Sequence, residues 1–168
     1  MDFKDIRNFH ERINLLFHFS LALPLVPIGF IFLESNHNNW VPPMPGNLPV
    51  LILSMALALI IFISAYLSYR RNLPVVREMP VQKDRFNALF REYRKLYLAN
   101  LAASTALAAG YYLTTSPYLV GAYLVLLFSL SLLRPYYERY SRDLMLDDET
   151  AKAVRRMDLV FQEEADSE

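Results

Sequence analysis

The sequence predicts an all-α, polytopic membrane protein: a four-helix bundle with both termini in the cytoplasm. Two observations lead to this fold class. Four long blocks contain no charged residue, and all basic residues lie in the segments that a four-span arrangement places on one side. Hydrophobic residues make up 54% of the 168 positions. Four uncharged, mostly apolar blocks of this kind exclude an ordinary soluble enzyme, because such blocks suit helices that cross a bilayer.

The four uncharged blocks define the predicted spans. A helix needs about 20 mostly apolar residues to cross about 30 Å of hydrocarbon. We predict spans at about 13–33, 48–69, 96–116 and 118–133. The whole chain, 1–168, is then a single membrane domain.

The charge distribution predicts the orientation of these spans. Three basic residues precede the first block, eight lie between the second and third, and six follow the fourth. Because cytoplasmic segments are enriched in Lys and Arg, the termini and the connection 70–95 are predicted to be cytoplasmic. The outer loop has no glycosylation sequon, which suits a bacterial inner membrane.

The connection 70–95 is predicted to be helical where it approaches the third span. Apolar residues recur there at spacings of three and four, which indicates one long helix that begins about three turns inside the cytoplasm. They are Phe86, Leu89, Phe90, Tyr93, Leu96 and Tyr97. This stripe can lie on the lipid surface or pack against other helix ends, and its continuity with the span favours packing.

The tail, 143–168, is acidic, whereas the rest of the chain is basic. It carries nine acidic and three basic residues. Asp148 is predicted to cap a short amphipathic helix, whose apolar stripe is Ala151, Val154, Met157 and Phe161. We predict electrostatic docking of the tail on Arg70, Arg71, Arg77 and Arg85. The alternative is that the tail binds something else.

Two prolines interrupt the first span. Pro24 and Pro27 have no N–H group, so the carbonyls of Ser20 and Leu23 lose their helical donors within the membrane. A kink is predicted there.

Seven polar side chains form a predicted polar shelf, most of them within about 12 Å of the cytoplasmic boundary of the spans. They are Asn14, His18, Ser64, Ser68, Asn100, Ser104 and Ser129. The structural interpretation is hydrogen bonding between helices. The functional alternative is an inward-facing vestibule in which His18 titrates near neutral pH. Both interpretations expect His18 and Asn100 to face the bundle interior.

The third span carries a predicted helix-packing face. Ala102, Ala106 and Gly110 recur every four residues, a pattern that lets helix backbones approach closely. Intramolecular packing is the default expectation, and contact with a neighbouring copy would give a homo-oligomer.

No sequence motif points to an enzyme. The chain has no cysteine, which excludes disulfides and thiolate chemistry, and it has no P-loop, zincin or nucleophile-elbow pattern. We expect no catalytic residue, no metal site, no cofactor and no nucleic-acid partner. The spans also lack the charged residues that ion-coupled transporters generally use.

Three classes of function remain, and the class that needs the fewest assumptions comes first. The first is a non-enzymatic interaction or accessory subunit of a membrane complex, in contact with the lipid bilayer and with a protein bound through the cytoplasmic face and acidic tail. The alternative is a small oligomeric pore or carrier with a polar vestibule around His18 and Asn100. An intramembrane enzyme comes third.

Overall fold

The structure is a computed structural model that describes residues 3–37 and 41–161. These residues form six α-helices: α1 (Ile6–Asn36), α2 (Leu48–Arg77), α3 (Gln82–Thr114), α4 (Pro117–Leu132), α5 (Tyr137–Leu144) and α6 (Asp148–Arg156). The described part of the chain contains no β-strand, and an isolated antiparallel bridge joins Asp5 to Val160. The all-helical prediction is confirmed for these residues.

Local chemistry explains where α1 and α3 differ from the predicted spans. α1 begins earlier, at Ile6, because the Asp5 carboxylate accepts a hydrogen bond from the Asn8 backbone N–H at 2.7 Å and caps the helix. α3 ends at Thr114 because Thr115 adopts a left-handed conformation with φ 48°. Pro117 then occupies the first turn of α4, where its missing N–H costs nothing.

The connection 70–95 is helical where it approaches the third predicted span, as predicted, and α2 extends into it as well. α2 runs without interruption to Arg77, and α3 begins at Gln82 and continues to Thr114. All six members of the predicted apolar stripe on α3 are buried, so packing rather than exposure accounts for that stripe.

The cap of α6 differs from the prediction by one residue. Asp147, not Asp148, is the N-cap, and its carboxylate accepts from the Thr150 backbone N–H at 3.0 Å. Hydrogen bonds from Thr150 lower the pKa of Asp147, because they stabilise its charged form. Asp148 is the first helical residue.

The chain divides into two compact units. Within the described residues, unit 1 comprises 3–16, 68–95 and 135–161, and unit 2 comprises 17–37, 41–67 and 96–134. Unit 2 holds only two charged side chains among these residues, Glu34 and Arg134, and unit 1 holds all the others. The division therefore separates apolar helix segments from charged ones.

All four helices that contribute to unit 2 share one apolar core. Its members are Ile28, Ile31, Ala58, Ala103, Leu107, Ala108, Tyr111, Leu119, Tyr123 and Leu126. Two helices in the described chain, α1 and α2, are each long and apolar enough to cross a membrane, and α4 with α5 would add a third if they form one span. The count of four spans stays a prediction.

Unit 1 is built around aromatic rings. Phe9 makes edge-to-face contacts with Phe86 and Tyr140 at centroid distances of 5.1 and 5.3 Å, a favoured geometry for aromatic pairs. Phe3 packs on Phe90 at 4.9 Å. The segment before α1 and the segments α3 and α5 are thereby joined in one core.

Candidate functional site

Asn100 makes a polar contact with another helix inside unit 2. Its fully buried side chain donates from Nδ2 to the Ser20 carbonyl of α1 at 3.5 Å. Pro24 has no N–H to offer that carbonyl. Asn100 therefore replaces, with a long hydrogen bond from another helix, the main-chain donor that the proline removes.

Two further hydrogen bonds lie at the same part of α1. Tyr123 on α4 donates from its hydroxyl to the Leu21 carbonyl at 3.3 Å. The buried Ser20 hydroxyl donates to the Phe17 carbonyl at 2.9 Å. The proline-interrupted segment is therefore held by both α3 and α4.

Two buried acceptors near this contact have no hydrogen-bond partner in the described chain. They are Asn100 Oδ1 and Ser104 Oγ, one helical turn apart on α3. A buried polar atom without a partner costs about 1–3 kcal/mol. This part of the predicted shelf is therefore interior, but it is only partly satisfied.

Two other members of the shelf are bonded within their own helices. The Ser64 and Ser129 hydroxyls donate to carbonyls of their own helices at 3.0 and 2.8 Å. Such bonds satisfy a hydroxyl in an apolar environment without a second helix. Asn14 and Ser68 belong to unit 1.

His18 does not face the interior. The expectation that both His18 and Asn100 face the bundle interior is therefore wrong for His18. Its side chain is exposed, and its ring contacts the Phe17 ring with centroids 5.3 Å apart. The buried positions of α1 nearby are Phe17 and Ser20. Because successive helical residues are about 100° apart, His18 is rotated away from that buried face.

The predicted packing face on α3 is only partly correct. Ala102 is exposed and Ala106 half-buried, whereas Gly110 is buried. A Cβ at Gly110 would lie 2.3 Å from Ser54 Oγ and 3.2 Å from Leu119 Cδ1. Gly110 is therefore the member of the predicted face at which α2, α3 and α4 approach closely.

Unit 1 contains a buried polar cluster, which we call the Asp143 cluster: Asp143, Arg139, Tyr69 and Tyr93. Asp143 Oδ2 accepts hydrogen bonds from the hydroxyls of Tyr69 on α2 and Tyr93 on α3, the latter at 2.8 Å. Arg139 Nε lies 3.4 Å from the same oxygen. All four side chains are at most 9% exposed. The cluster joins α2, α3 and α5 through one carboxylate.

The contacts of the Asp143 cluster hold helices together. Burial raises the pKa of Tyr93 well above its ordinary value, and the nearby Tyr69 and Asp143 raise it further. Tyr93 is therefore a protonated donor at neutral pH. The Arg77 Nε donates to the Asp143 backbone carbonyl at 2.7 Å. With Oδ2 and the backbone carbonyl bonded in this way and the side chain buried, Asp143 is held in place.

The Asp143 cluster is not predicted from the sequence because Asp143 was assigned to the acidic tail. A signal was present: Arg139, Tyr140, Asp143 and Leu144 recur on one helical face, and all four are buried. Charged residues are rarely buried unless they are paired. The spacing of Arg139 and Asp143 at i and i+4 was the indication of such a pair.

A second polar contact that the sequence does not predict involves Glu92 on α3. It is 7% exposed. Its carboxylate accepts from Asn72 Nδ2 on α2 at 3.0 Å and from Lys95 Nζ at 2.6 Å. These hydrogen bonds to α2 and to Lys95 explain how a carboxylate is accommodated at a buried position.

The described part of the tail docks differently from the prediction, and residues 162–168 lie outside that part. Val154 and Phe161 are buried, and the Phe161 ring packs on Phe86 at 5.0 Å. Backbone hydrogen bonds join Phe161 N–H to Lys4 O and Ile6 N–H to Leu159 O, at 3.1 and 3.0 Å. Of the four arginines expected to bind the tail, Arg77 donates to the backbone carbonyl of Asp143, the first tail residue, at 2.7 Å. None of the four forms an ion pair with a described tail carboxylate.

An apolar groove in unit 2 lies between α2 and α4, with a volume of about 660 Å³. Its floor includes Ala58, Leu107 and Leu126, which are buried, and exposed aliphatic side chains form its walls. Its one polar lining residue is Ser129, whose hydroxyl is already bonded within α4. This groove is not the polar vestibule that the shelf predicted.

The described residues contain no group of three or more potential metal ligands among His, Cys, Asp and Glu. Comparisons with protein families, curated proteins and solved structures find no match for this chain.

Proposed function

We propose that this chain is an integral membrane protein with four crossings and both termini in the cytoplasm, and that it acts as a non-enzymatic subunit of a membrane complex. One observation carries the proposal. Charged side chains are confined to unit 1 except for Glu34 and Arg134. Charge is costly within hydrocarbon, so unit 2 suits the membrane and unit 1 the cytoplasm. The lack of a sequon in the outer loop supports a bacterial inner membrane.

The role of unit 1 in this proposal is to present a preformed surface to a protein partner. Its interior is fixed by the Asp143 cluster and by the aromatic contacts of Phe9. A surface that is ordered before binding avoids the entropy cost of ordering on association. Such a unit suits stable subunit contact better than transient substrate handling.

The outer face of α6 is the proposed contact surface. Val154 anchors this helix inward, while Asp148, Glu149, Lys152, Arg155 and Arg156 are exposed. The acidic residues lie in its first turn and the basic residues at its end. These charges interact favourably with the helix dipole. They also give the face a charge pattern that a complementary partner can recognise.

Site-directed photocross-linking in the native membrane tests this proposal. A cross-linking residue at Lys152 is expected to capture one defined protein, and the yield should fall in the Arg155→Glu/Arg156→Glu variant. The matched control is Arg91→Glu, an exposed charge change on α3, which should leave the yield unchanged. Equal yields from all variants, or capture of lipid alone, would contradict a protein contact through α6. Capture of a second copy of this chain would replace the accessory-subunit proposal with self-association.

A pore or carrier is not proposed. Of the residues that would line its vestibule, some are exposed, some are hydrogen-bonded within their own helix, and some are buried.

A further inference from the structure

We propose that unit 1 binds the anionic headgroups of membrane phospholipids through four exposed basic side chains, which we call the cationic band. The band consists of Arg70 and Arg71 on α2 and Arg94 and Lys95 on α3. This inference rests on the proposed function, because it needs α2 and α3 to enter the bilayer. It goes beyond that function by naming a ligand, a phosphate-bearing lipid headgroup with a net negative charge.

The two halves of the band lie on neighbouring helices. Within unit 1, a hydrogen bond from Asn72 Nδ2 to Glu92 Oε2 joins α2 to α3 at 3.0 Å. The ring centroids of Tyr69 and Tyr93 lie 5.5 Å apart across the same pair of helices. Each of these four contact residues is within two positions of a member of the band. The two halves therefore lie at the same level of the helix pair.

The band carries more positive charge than the surrounding chain neutralises. Glu92 is the one acidic residue in the segments 66–77 and 88–100. Its buried carboxylate accepts from Lys95 Nζ at 2.6 Å. In the described part of the chain, Arg70, Arg71 and Arg94 form no ion pair. Three exposed guanidinium groups therefore remain to bind an external anion.

The exposed face of each helix becomes apolar within one turn of the band. Arg71 follows Leu67 by four residues on α2, and Arg94 precedes Leu98 by four residues on α3. Residues four apart lie on the same face of a helix, and Leu67 and Leu98 are 59% and 49% exposed. On both helices, a cation therefore lies about 6 Å along the axis from an exposed leucine.

This juxtaposition favours a phospholipid over a soluble anion or an acidic protein. The headgroup layer extends about 5–7 Å beyond the hydrocarbon core on each side of a bilayer, which matches the axial spacing of about 6 Å. A guanidinium group binds phosphate oxygens through two parallel hydrogen bonds. Because a phospholipid carries its phosphate beside its acyl chains, one molecule can contact both the cation and the leucine. A soluble anion would satisfy the cation alone.

Native mass spectrometry of the full chain tests the inference, with phosphatidylglycerol and phosphatidylethanolamine of the same acyl chains added separately to delipidated protein in detergent. The wild type is expected to bind the anionic phosphatidylglycerol more tightly than the zwitterionic phosphatidylethanolamine. Arg70→Gln/Arg71→Gln should weaken phosphatidylglycerol binding by about thirtyfold, the loss expected for two basic residues at an anionic surface. The effect on phosphatidylethanolamine should be smaller, because that lipid has no net charge.

Matched variants separate the effect of charge from a folding defect. Arg70→Lys/Arg71→Lys keeps both charges and should keep the preference for phosphatidylglycerol. Arg94→Gln changes the other half of the band and should weaken phosphatidylglycerol binding by about fivefold. Lys4→Gln/Arg142→Gln removes two exposed charges that lie on neither α2 nor α3. This control should bind both lipids like the wild type.

Three outcomes would overturn the inference. The first is equal affinity of the wild type for the two lipids, or an equal loss of phosphatidylglycerol binding in Lys4→Gln/Arg142→Gln. The second is displacement of phosphatidylglycerol by millimolar inorganic phosphate, which would assign the band to a soluble anion. The third is an acidic protein that stays with the wild type during gentle extraction and is lost from Arg70→Gln/Arg71→Gln, which would assign the band to a protein.

Failure of this inference is distinguishable from failure of the proposed function. Carbonate extraction of membranes that contain the chain reports whether it is integral. A chain that resists extraction but does not distinguish the two lipids contradicts only the cationic band. A chain that is released contradicts the membrane assignment on which both proposals depend.

Discussion

Asp143 joins three helices in the interior of unit 1. Its carboxylate accepts from Tyr93 at 2.8 Å and also from Tyr69, and Arg139 lies 3.4 Å away. Removing one partner of a buried pair leaves the other charge uncompensated, which costs about 3–5 kcal/mol. The carboxylate is therefore a larger determinant of stability than any exposed ion pair of this chain.

We expect Asp143→Asn to destabilise the protein by about 3–5 kcal/mol, because Arg139 would stay buried without its counter-charge. The measurement is equilibrium unfolding in detergent. Glu138→Gln is the matched control, since Glu138 is exposed on the same helix and its replacement should change stability by less than about 0.5 kcal/mol. Similar unfolding of the two variants would show that the buried pair contributes nothing specific.

Asn100 has a narrower role, tied to Pro24. We expect Asn100→Leu to cost about 0.6 kcal/mol, and at most about 1.7, as measured for hydrogen bonds between membrane helices. The cost should shrink in a Pro24→Ala background, where the restored N–H can bond the Ser20 carbonyl. A double-mutant cycle of unfolding free energies measures this coupling. Additive effects would mean that Asn100 does not substitute for the missing proline donor.

Gly110 shows how one position in an element controls the packing of three helices. A Cβ there would lie 2.3 Å from Ser54 Oγ, so Gly110→Ala should destabilise unit 2 by about 1–3 kcal/mol. Ser54→Gly should restore part of the loss by making room. Gly121 is the control, because a Cβ at Gly121 has nothing within 4 Å. Equal melting temperatures for Gly110→Ala and Gly121→Ala would contradict the close approach of the helices at Gly110.

The tail is attached through apolar and main-chain contacts, which changes its expected response to salt. Screening weakens exposed ion pairs but not apolar burial. Protease sensitivity after Arg156 should therefore be the same at low and high salt, and Phe161→Ala should increase it at both. The Phe161 side chain is 7% exposed and packs on Phe86. A tail released by salt alone would restore the electrostatic explanation.

Periodicity predicted the elements better than it predicted which side chains meet. The stripe from Phe86 to Tyr97 is buried because six apolar residues at helical spacing leave one orientation for the helix. No such apolar pattern determines whether His18 or Asp143 faces the interior. A single polar residue changes from interior to surface with one step of about 100° around a helix, and depth along the chain does not determine that rotation. Tertiary contacts decide it.

At the scale of the whole molecule, the division of charge between the units agrees with the division of the sequence into blocks. Unit 2 begins and ends within four residues of the predicted span boundaries on the inner side: its segments are bounded by Phe17, Leu67, Leu96 and Arg134. Composition could predict this division because an uncharged block of about 20 residues has few stable environments outside hydrocarbon. It could not predict the buried network of unit 1, which depends on contacts between residues such as Tyr69 and Asp143 that are distant in sequence.

The number of crossings is the prediction that decides the whole architecture. The chain has no cysteine, so single cysteines can be labelled without background by a membrane-impermeant maleimide on intact cells. With four crossings, Val41→Cys and Tyr118→Cys, both at exposed positions, should be labelled from outside. Arg91→Cys and Glu149→Cys should be labelled only after the membrane is opened. If α1 and α2 alone crossed the membrane, Val41→Cys would be labelled as before but Tyr118→Cys would be protected. That single difference separates two crossings from four, because the connection between α3 and α4 reaches the outer side only when both helices span the bilayer.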